Sequence, residues 1–184
     1  MKITLLMLAA AAVLGAQPAQ PTPPTVSKVF DQQLSIIERE FVPLAEAMPA
    51  DKFDFVPSQG EFKNVRTFGQ QVSHTAAVLF AVSAAVLEEK NPTDMGKDEN
   101  GPATLKTKDE IVQYLKDAFA YGHKAMAKLT EANLIEMVPS AFGKGKTTRA
   151  FMASVAVWHS FDHYGQAVVY LRMNGIIPPA SRPR

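Results

Sequence analysis

Apolar residues recur at intervals of three and four along four stretches of the chain, which is the spacing of amphipathic α-helices. The first stretch runs from about Val26 to Met48, and Pro43 inside it is expected to kink the helix or loosen one turn. The second runs from about Val65 to Glu89, with Asn64 as its N-cap. Because its apolar residues lie on nearly every side, we expect the second helix to be the most buried.

Two further stretches complete the helical pattern. The third helix is predicted from about Lys108 to Thr130, and Thr107 followed by Glu110 has the spacing of a capping box. The fourth is predicted from about Thr148 to Met173, where Asn174-Gly175 would end it. No segment has a convincing strand pattern. The four helices therefore predict an all-α fold, a four-helix bundle.

The connection between the second and third helices, from Asn91 to Lys106, is polar and contains both glycine and proline. A segment of this length can cross the bundle instead of making a tight hairpin. We therefore expect a long crossover between helices 2 and 3.

The first residues have the pattern of an export signal. Lys2 precedes an apolar run from Ile3 to Val13, and the small residues Gly15-Ala16 precede a Pro-rich stretch. We therefore predict a signal peptide over residues 1–16, a linker over 17–25, the bundle over 26–179 and a tail over 180–184. Because the apolar run is too short for a membrane anchor, an exported protein, periplasmic or secreted, is expected. The alternative is a retained N-terminal helix or anchor.

Charge and cysteine content exclude several classes of function. Lys2 is the only charged residue of the predicted signal, so the remainder carries 18 basic and 18 acidic residues. A formally neutral chain has no field to attract nucleic acid or anionic membranes, and neither is expected as a partner. The absence of cysteine excludes disulfides, a thiol nucleophile and a thiolate metal site.

Two histidines one helical turn apart carry the clearest chemical signal. His159 and His163 lie on one face of the predicted fourth helix, with Cβ atoms about 5–6 Å apart. Both imidazoles can reach one ion, and imidazole is the commonest protein ligand of divalent transition metals. The alternative is a solvent-exposed polar face with an incidental histidine pair.

The neighbours of this pair suggest a polar patch on a buried face. With Val155 as the centre of the inward stripe, a step of 100° per residue places His163 at its edge. Six residues fall within about 60° of that centre: Phe151, His159, Asp162, Gln166, Tyr170 and Met173. Buried polar groups cost about 1–3 kcal/mol each when unpaired, and a shared metal ion would supply the imidazoles with a partner.

The two remaining histidines are less informative by themselves. His74 shares its face of the second helix with Val78, Ala81 and Ala85, so a hydrogen-bonded core histidine and a metal ligand are equally compatible with it. His123 lies on the flank of the third helix and is interpreted as a surface or rim residue.

Two sequence blocks frame these histidines. The first is Phe53-Asp54-Phe55-Val56-Pro57, then Phe62-Lys63-Asn64-Val65-Arg66-Thr67-Phe68 and His74. The second is Thr148-Arg149, His159-x-x-x-His163-x-Gly165-Gln166, Tyr170-Leu171-Arg172 and Gly175-Ile176-Ile177-Pro178-Pro179. In this order the blocks resemble the DinB-like (DinB/YfiT-type) superfamily of small four-helix-bundle metalloproteins. Phe62 replaces a tryptophan found in many relatives, which concerns packing and leaves the histidines unaffected.

The resemblance implies a metal site that the spacing alone does not. It implies a bundle with a long crossover and a three-histidine site of His74, His159 and His163 for a divalent ion such as zinc, nickel or iron. For His74 it favours the ligand over the core histidine. His123 has no counterpart in the family motif.

Three neutral imidazoles leave at least one coordination position open, which is typical of a catalytic or ligand-binding site. Asp162 is the candidate catalytic base or fourth ligand, and Gln166 and Tyr170 are expected at the mouth of the site.

The family that the chain resembles includes thiol S-transferases and an isomerase that use low-molecular-weight thiols. Because those thiols are mainly cytoplasmic, an export signal favours a metal-dependent hydrolase of an unknown small-molecule substrate. The alternative is a non-catalytic, stress-related metal- or ligand-binding bundle. Its Met- and Ala-rich faces are also compatible with a homodimer.

Overall fold

Four α-helices form the part of the chain that the structure, a computed structural model, describes, which is residues 23–183. They are α1 (Val26–Ala47), α2 (Phe68–Leu87), α3 (Lys108–Met126) and α4 (Arg149–Met173). The predicted all-α bundle of four helices is therefore confirmed. The predicted signal peptide, residues 17–22 of the predicted linker and Arg184 lie outside the described residues.

Helix α2 is the core of the bundle, as predicted. It packs against α3 and α4, and α1 packs against the same two helices. All but two of its 20 residues are buried. Its length and apolar composition would also suit a membrane span, but most of that stretch is buried inside the bundle. Its apolar character is therefore explained by its position in the core.

Helix α2 begins later than the sequence predicted. Its N-cap is Thr67 and not Asn64, which lies in the preceding turn with φ 63°. The Thr67 hydroxyl accepts from the backbone N–H of Gln70, and the Gln70 side chain accepts from the backbone N–H of Thr67. This reciprocal capping box is stronger than the single cap that Asn64 would provide.

The other helix boundaries agree more closely with the sequence. The predicted capping box of Thr107 and Glu110 is present at the start of α3, which ends at Met126, four residues before the predicted Thr130. Helix α1 continues through Pro43 to Ala47.

A small hairpin between α3 and α4 was not predicted. Strands β1 (Met137–Pro139) and β2 (Lys146–Thr148) pair antiparallel, with Val138 opposite Thr147. Three-residue strands are too short to show an alternating pattern, which explains why the prediction of no strand was wrong.

Residues 88–107 connect α2 to α3 and contain a short 3-10 helix, Lys97–Glu99. The predicted passage of this connection across the bundle stays a prediction.

Candidate metal centre

Three imidazoles from two helices meet on the inside of the bundle. His74 lies in the second turn of α2, and His159 and His163 lie one turn apart in α4. The centroid of the His74 ring is 5.1 Å from that of His159 and 4.7 Å from that of His163, and the centroids of the two α4 rings are 4.5 Å apart. One nitrogen from each ring lies within 4.8 Å of the others. A single ion between them could therefore contact all three.

Hydrogen bonds fix the protonated nitrogen of two of these rings. His74 Nδ1 lies 2.9 Å from the backbone carbonyl oxygen of Glu99, and His163 Nδ1 lies 2.5 Å from Oε1 of Gln71. Both partners are oxygen acceptors, so each Nδ1 carries the proton and donates it. In a neutral ring this leaves the lone pair on Nε2 of both His74 and His163, as metal ligation requires.

The third ring has a buried nitrogen without a partner. Nε2 of His159 is inaccessible to solvent and makes no hydrogen bond within residues 23–183. An unpaired buried polar atom costs about 1–3 kcal/mol, so such atoms are rare in native proteins. A cation shared with the lone pairs of His74 and His163 would satisfy this atom. The residues present therefore fit a divalent metal ion.

Burial keeps the three imidazoles neutral at physiological pH. It lowers the pKa of His159 to about 4, with the charge of His74 acting in the same direction. It lowers the pKa of His163 to about 3, with His159 acting in the same direction. The pKa of His74 is also lowered, chiefly by burial. Because neutral imidazole is the metal-binding form, the site needs no deprotonation near pH 7.

A chain of side-chain amides runs from His163 to the surface. Gln71, which accepts from His163, donates through Nε2 to Oε1 of Gln166 at 3.1 Å. Gln166 in turn donates to Oδ2 of Asp162 at 3.3 Å. Asp162 and Gln166, both singled out from the sequence, are exposed and are connected to the buried ring of His163 through Gln71. Their predicted roles stay predictions.

Tyr170, the third predicted neighbour of the site, is buried and holds the segment before α2. Its hydroxyl donates to the backbone oxygen of Arg66 at 3.1 Å, and its ring packs edge-on against Phe55. This contact brings the chain just before α2 onto α4, two turns beyond His163.

The backbone that supports His74 is strained. Asp98 and Glu99 have φ values of 55° and 59°, in the left-handed region that costs non-glycine residues about 1–2 kcal/mol each. Gly96, with φ 67°, lies so close to the backbone of Gly101 that a Cβ added to Gly96 would be 1.8 Å from the Gly101 oxygen. Such strain persists where the surrounding structure imposes it, and it often lies at functional sites. Here it aims the Glu99 carbonyl at His74.

A cavity of about 730 Å³ lies beside the same connection. Gln70 and Ser73 line it from α2, Thr67 from the N-cap of that helix, and Lys97 and Asn100 from the connection. None of the three clustered histidines lines it. The cavity therefore gives no information about the ligand of the histidine cluster.

A family model for the DinB superfamily matches residues 33–167, a span that contains all three clustered histidines. The chain belongs to the DinB superfamily. No curated protein sequence matches it.

Solved structures share the fold of this DinB protein. A DinB-like protein from Bacillus cereus ATCC 10987 is 14% identical with a TM-score of 0.64, and the match covers 83% of this chain and 95% of that one. A DinB-like protein from Bacillus subtilis is 17% identical with a TM-score of 0.64, covering 85% and 99%. A conserved protein from Enterococcus faecalis is 16% identical with a TM-score of 0.61, covering 82% and 98%. At sequence identities this low, the similarity shows a shared fold and nothing about a shared function.

The inward face of α4 in this DinB protein is not the one centred on Val155. Of the predicted stripe, four residues are exposed, namely Phe151, Asp162, Gln166 and Met173. The buried face lies about 100° further around the helix, so His163 is near its centre and His159 at its edge. Large apolar residues such as Trp158 and Val169 are exposed on the other side, which left the periodicity of α4 ambiguous.

The fourth histidine lies away from the cluster. His123 Nδ1 is 2.6 Å from Oδ1 of Asp31, and its Nε2 is 3.0 Å from Oε2 of Glu38. Burial opposes protonation, but the two carboxylates outweigh it and raise the pKa of His123. Since both ring nitrogens are occupied by α1 carboxylates, His123 joins α3 to α1 at a partly exposed position.

Proposed function

We propose that this protein binds one divalent transition-metal ion, such as zinc, nickel or iron, through Nε2 of His74, His159 and His163. The observation that carries the proposal is the partnerless buried Nε2 of His159, which lies beside two rings whose Nδ1 protons are already engaged. Three buried neutral nitrogens at one point are costly in the absence of a shared partner. Imidazole is a ligand that zinc, nickel and iron all accept.

Gln71 and the Glu99 carbonyl would act as the orienting partners of the ligands. Hydrogen bonds of this kind fix the tautomer and ring orientation of metal-binding histidines, and their loss weakens affinity about 10–100-fold. The short contact between His163 and Gln71 and the strained backbone at Glu99 are consistent with rings held in place before an ion arrives.

An open coordination position would make this site a reactive one. Bound in such a site, the ion supplies Lewis-acid activation of a small molecule such as water or a thiol. We propose that the exported protein is a metal-dependent hydrolase, and that a thiol S-transferase is the alternative reaction. Asp162, at the outer end of the Gln71–Gln166 chain, is the candidate group to accept a proton from the reaction. Gln166 and Tyr170 would border the ligand.

Elemental analysis of the protein purified from its own compartment tests the metal proposal. We expect one ion per chain in the wild type and little or none in His74→Ala or His163→Ala. His123→Ala is the control for loss of a histidine, because it removes an imidazole outside the cluster and should retain the ion. A wild-type protein that binds no divalent transition metal, or a His163→Ala variant that binds it unchanged, would refute the proposal.

Turnover of the metal-loaded protein on ester, amide and thiol-acceptor substrates tests the reaction. Asp162→Asn should lower turnover while keeping the ion. Asp117→Asn is a matched control, since Asp117 is exposed on α3 and also accepts from a glutamine four residues away, Gln113. If Asp162→Asn and Asp117→Asn have the same turnover as the wild type, Asp162 is not the base.

A further inference from the structure

Arg66, in the segment before α2, is fixed through both its side chain and its backbone. Its Nε donates to Oδ1 of Asn100 at 2.9 Å, and its Nη2 donates to the backbone oxygen of Asp98 at 2.8 Å. Its own backbone oxygen accepts from Tyr170. The side chain of Arg66, a partly buried residue, is therefore held in one orientation.

This orientation places the guanidinium against the backbone segment that binds His74. Asp98 and Asn100 flank Glu99, whose carbonyl binds the ring of His74, and successive residues are only about 3.8 Å apart. The guanidinium therefore contacts the residues on both sides of the carbonyl that holds His74.

The charge of Arg66 is not paired with a carboxylate in the part of the chain that the structure describes. Arg149, a buried arginine elsewhere in the bundle, forms ion pairs with Glu88 at 2.7 Å and Glu136 at 3.0 Å. Arg66 forms no ion pair with any carboxylate of residues 23–183. The contrast shows that this fold does pair an arginine whose role is structural.

The part of the guanidinium that stays available suits an acid group. Arginine has five N–H donors, and the edge formed by Nε and Nη2 is used by Asn100 and Asp98. Nη1 makes no hydrogen bond within the described part of the chain. The outer edge, formed by Nη1 and the second proton of Nη2, matches the two oxygens of a carboxylate.

We propose that Arg66 is the anion-binding residue of the metal centre, and that the ligand is a small organic acid whose carboxylate pairs with the outer edge of its guanidinium. The inference rests on the proposed metal site. A divalent ion held by neutral imidazoles has no protein charge to balance it, so the ion and the guanidinium of Arg66 would both attract an anion.

The test measures binding of acetate, and of the neutral analogue acetamide, to the Co(II)-loaded protein by calorimetry and visible absorption. The variants are Arg66→Gln and, as a control, Lys63→Gln, which removes a positive charge from an exposed position of the same segment. We expect Arg66→Gln to weaken acetate binding at least tenfold, Lys63→Gln to change it less than twofold, and acetamide to bind all forms equally weakly.

Metal affinity separates this role from a structural one. Because the guanidinium repels a cation, Arg66→Gln should bind Co(II) as tightly as the wild type or more tightly. A loss of both Co(II) and acetate affinity would make Arg66 a support of the Asp98–Asn100 backbone and overturn the proposal. Equal acetate binding by the wild type and Arg66→Gln would also overturn it.

Two further outcomes are distinguishable. If Arg66→Gln does not fold, Arg66→Lys keeps the charge without the planar edge, and acetate binding by Arg66→Lys equal to that of the wild type would overturn the proposal. If the wild type does not bind Co(II), the initial metal titration shows this before acetate is added. The metal site itself then fails, and this inference with it.

Discussion

Replacing His159 by leucine should change the metal-free and metal-loaded proteins in opposite directions. Nε2 of His159 is buried without a partner, whereas the other two rings of the cluster each donate a hydrogen bond to the protein. His159→Leu therefore removes an unsatisfied atom from the apoprotein and breaks no hydrogen bond of that atom. The same change removes one of three metal ligands.

The magnitudes follow from the burial of that atom. Removing an unpaired buried polar atom recovers about 1–3 kcal/mol, so the free energy of unfolding of the apoprotein should rise by about 1 kcal/mol or more. For a chain of this size that corresponds to an increase in Tm of roughly 2–4 °C per kcal/mol. A metal ion at a free concentration of 100 times its Kd stabilises the wild type by about 2.7 kcal/mol, and His159→Leu should lose most of that gain.

Thermal unfolding at pH 7.5, once with a chelator and once with excess zinc, measures both effects. His123→Leu is the control, because both nitrogens of His123 have partners, Asp31 and Glu38. It should lower the Tm of the apoprotein and leave the zinc response intact. The reasoning is refuted if His159→Leu destabilises the apoprotein as His123→Leu does, or if zinc still raises the Tm of His159→Leu by the wild-type amount.

Three other predictions concern the surroundings of the site. Gly96→Ala should lower the free energy of unfolding by roughly 2 kcal/mol or more, because the new Cβ would collide with the Gly101 oxygen. Gly143→Ala, at a similar positive φ but with nothing within 4 Å, should cost far less, and denaturant titrations compare the two variants. Gln71→Leu should weaken zinc binding about 10–100-fold in calorimetry by leaving Nδ1 of His163 without an acceptor, and an unchanged Kd would contradict this. The stability of the apoprotein should fall as the pH drops from about 6.5, because the α4 histidines have folded-state pKa values of about 4 and about 3 and the unfolded chain binds protons first. Urea titrations at several pH values test this, and the loss should be smaller in a variant that lacks one of these histidines.

The helices of the bundle could be predicted where one face is clearly more apolar than the other. In α1, the residues spaced by threes and fours from Leu34 to Leu44 are the ones that are buried. In α4 the apolar residues surround the helix, with Phe151 and Trp158 on its exposed side. Periodicity alone therefore could not orient α4, and only its packing against α1 and α2 determines which side is buried.

The candidate site could be predicted in part. The spacing of His159 and His163 indicated a shared ligand directly, but His74 required the resemblance to a known family, because packing of α2 on α4 brings it to the other two. Gln71 was missed, although a polar residue three positions before His74 in an apolar helix is a signal that could have been used. The Glu99 carbonyl has no such signal, since every residue has a carbonyl and only the backbone path aims this one.

Anomalous diffraction from crystals of the metal-loaded protein, measured on both sides of the absorption edge of the bound ion, tests the central claim most directly. We predict one anomalous peak per chain, with Nε2 of His74, His159 and His163 each about 2.0–2.1 Å from it, as in zinc sites with histidine ligands. A peak at His123 and its carboxylates instead, or no peak between α2 and α4, would contradict the account.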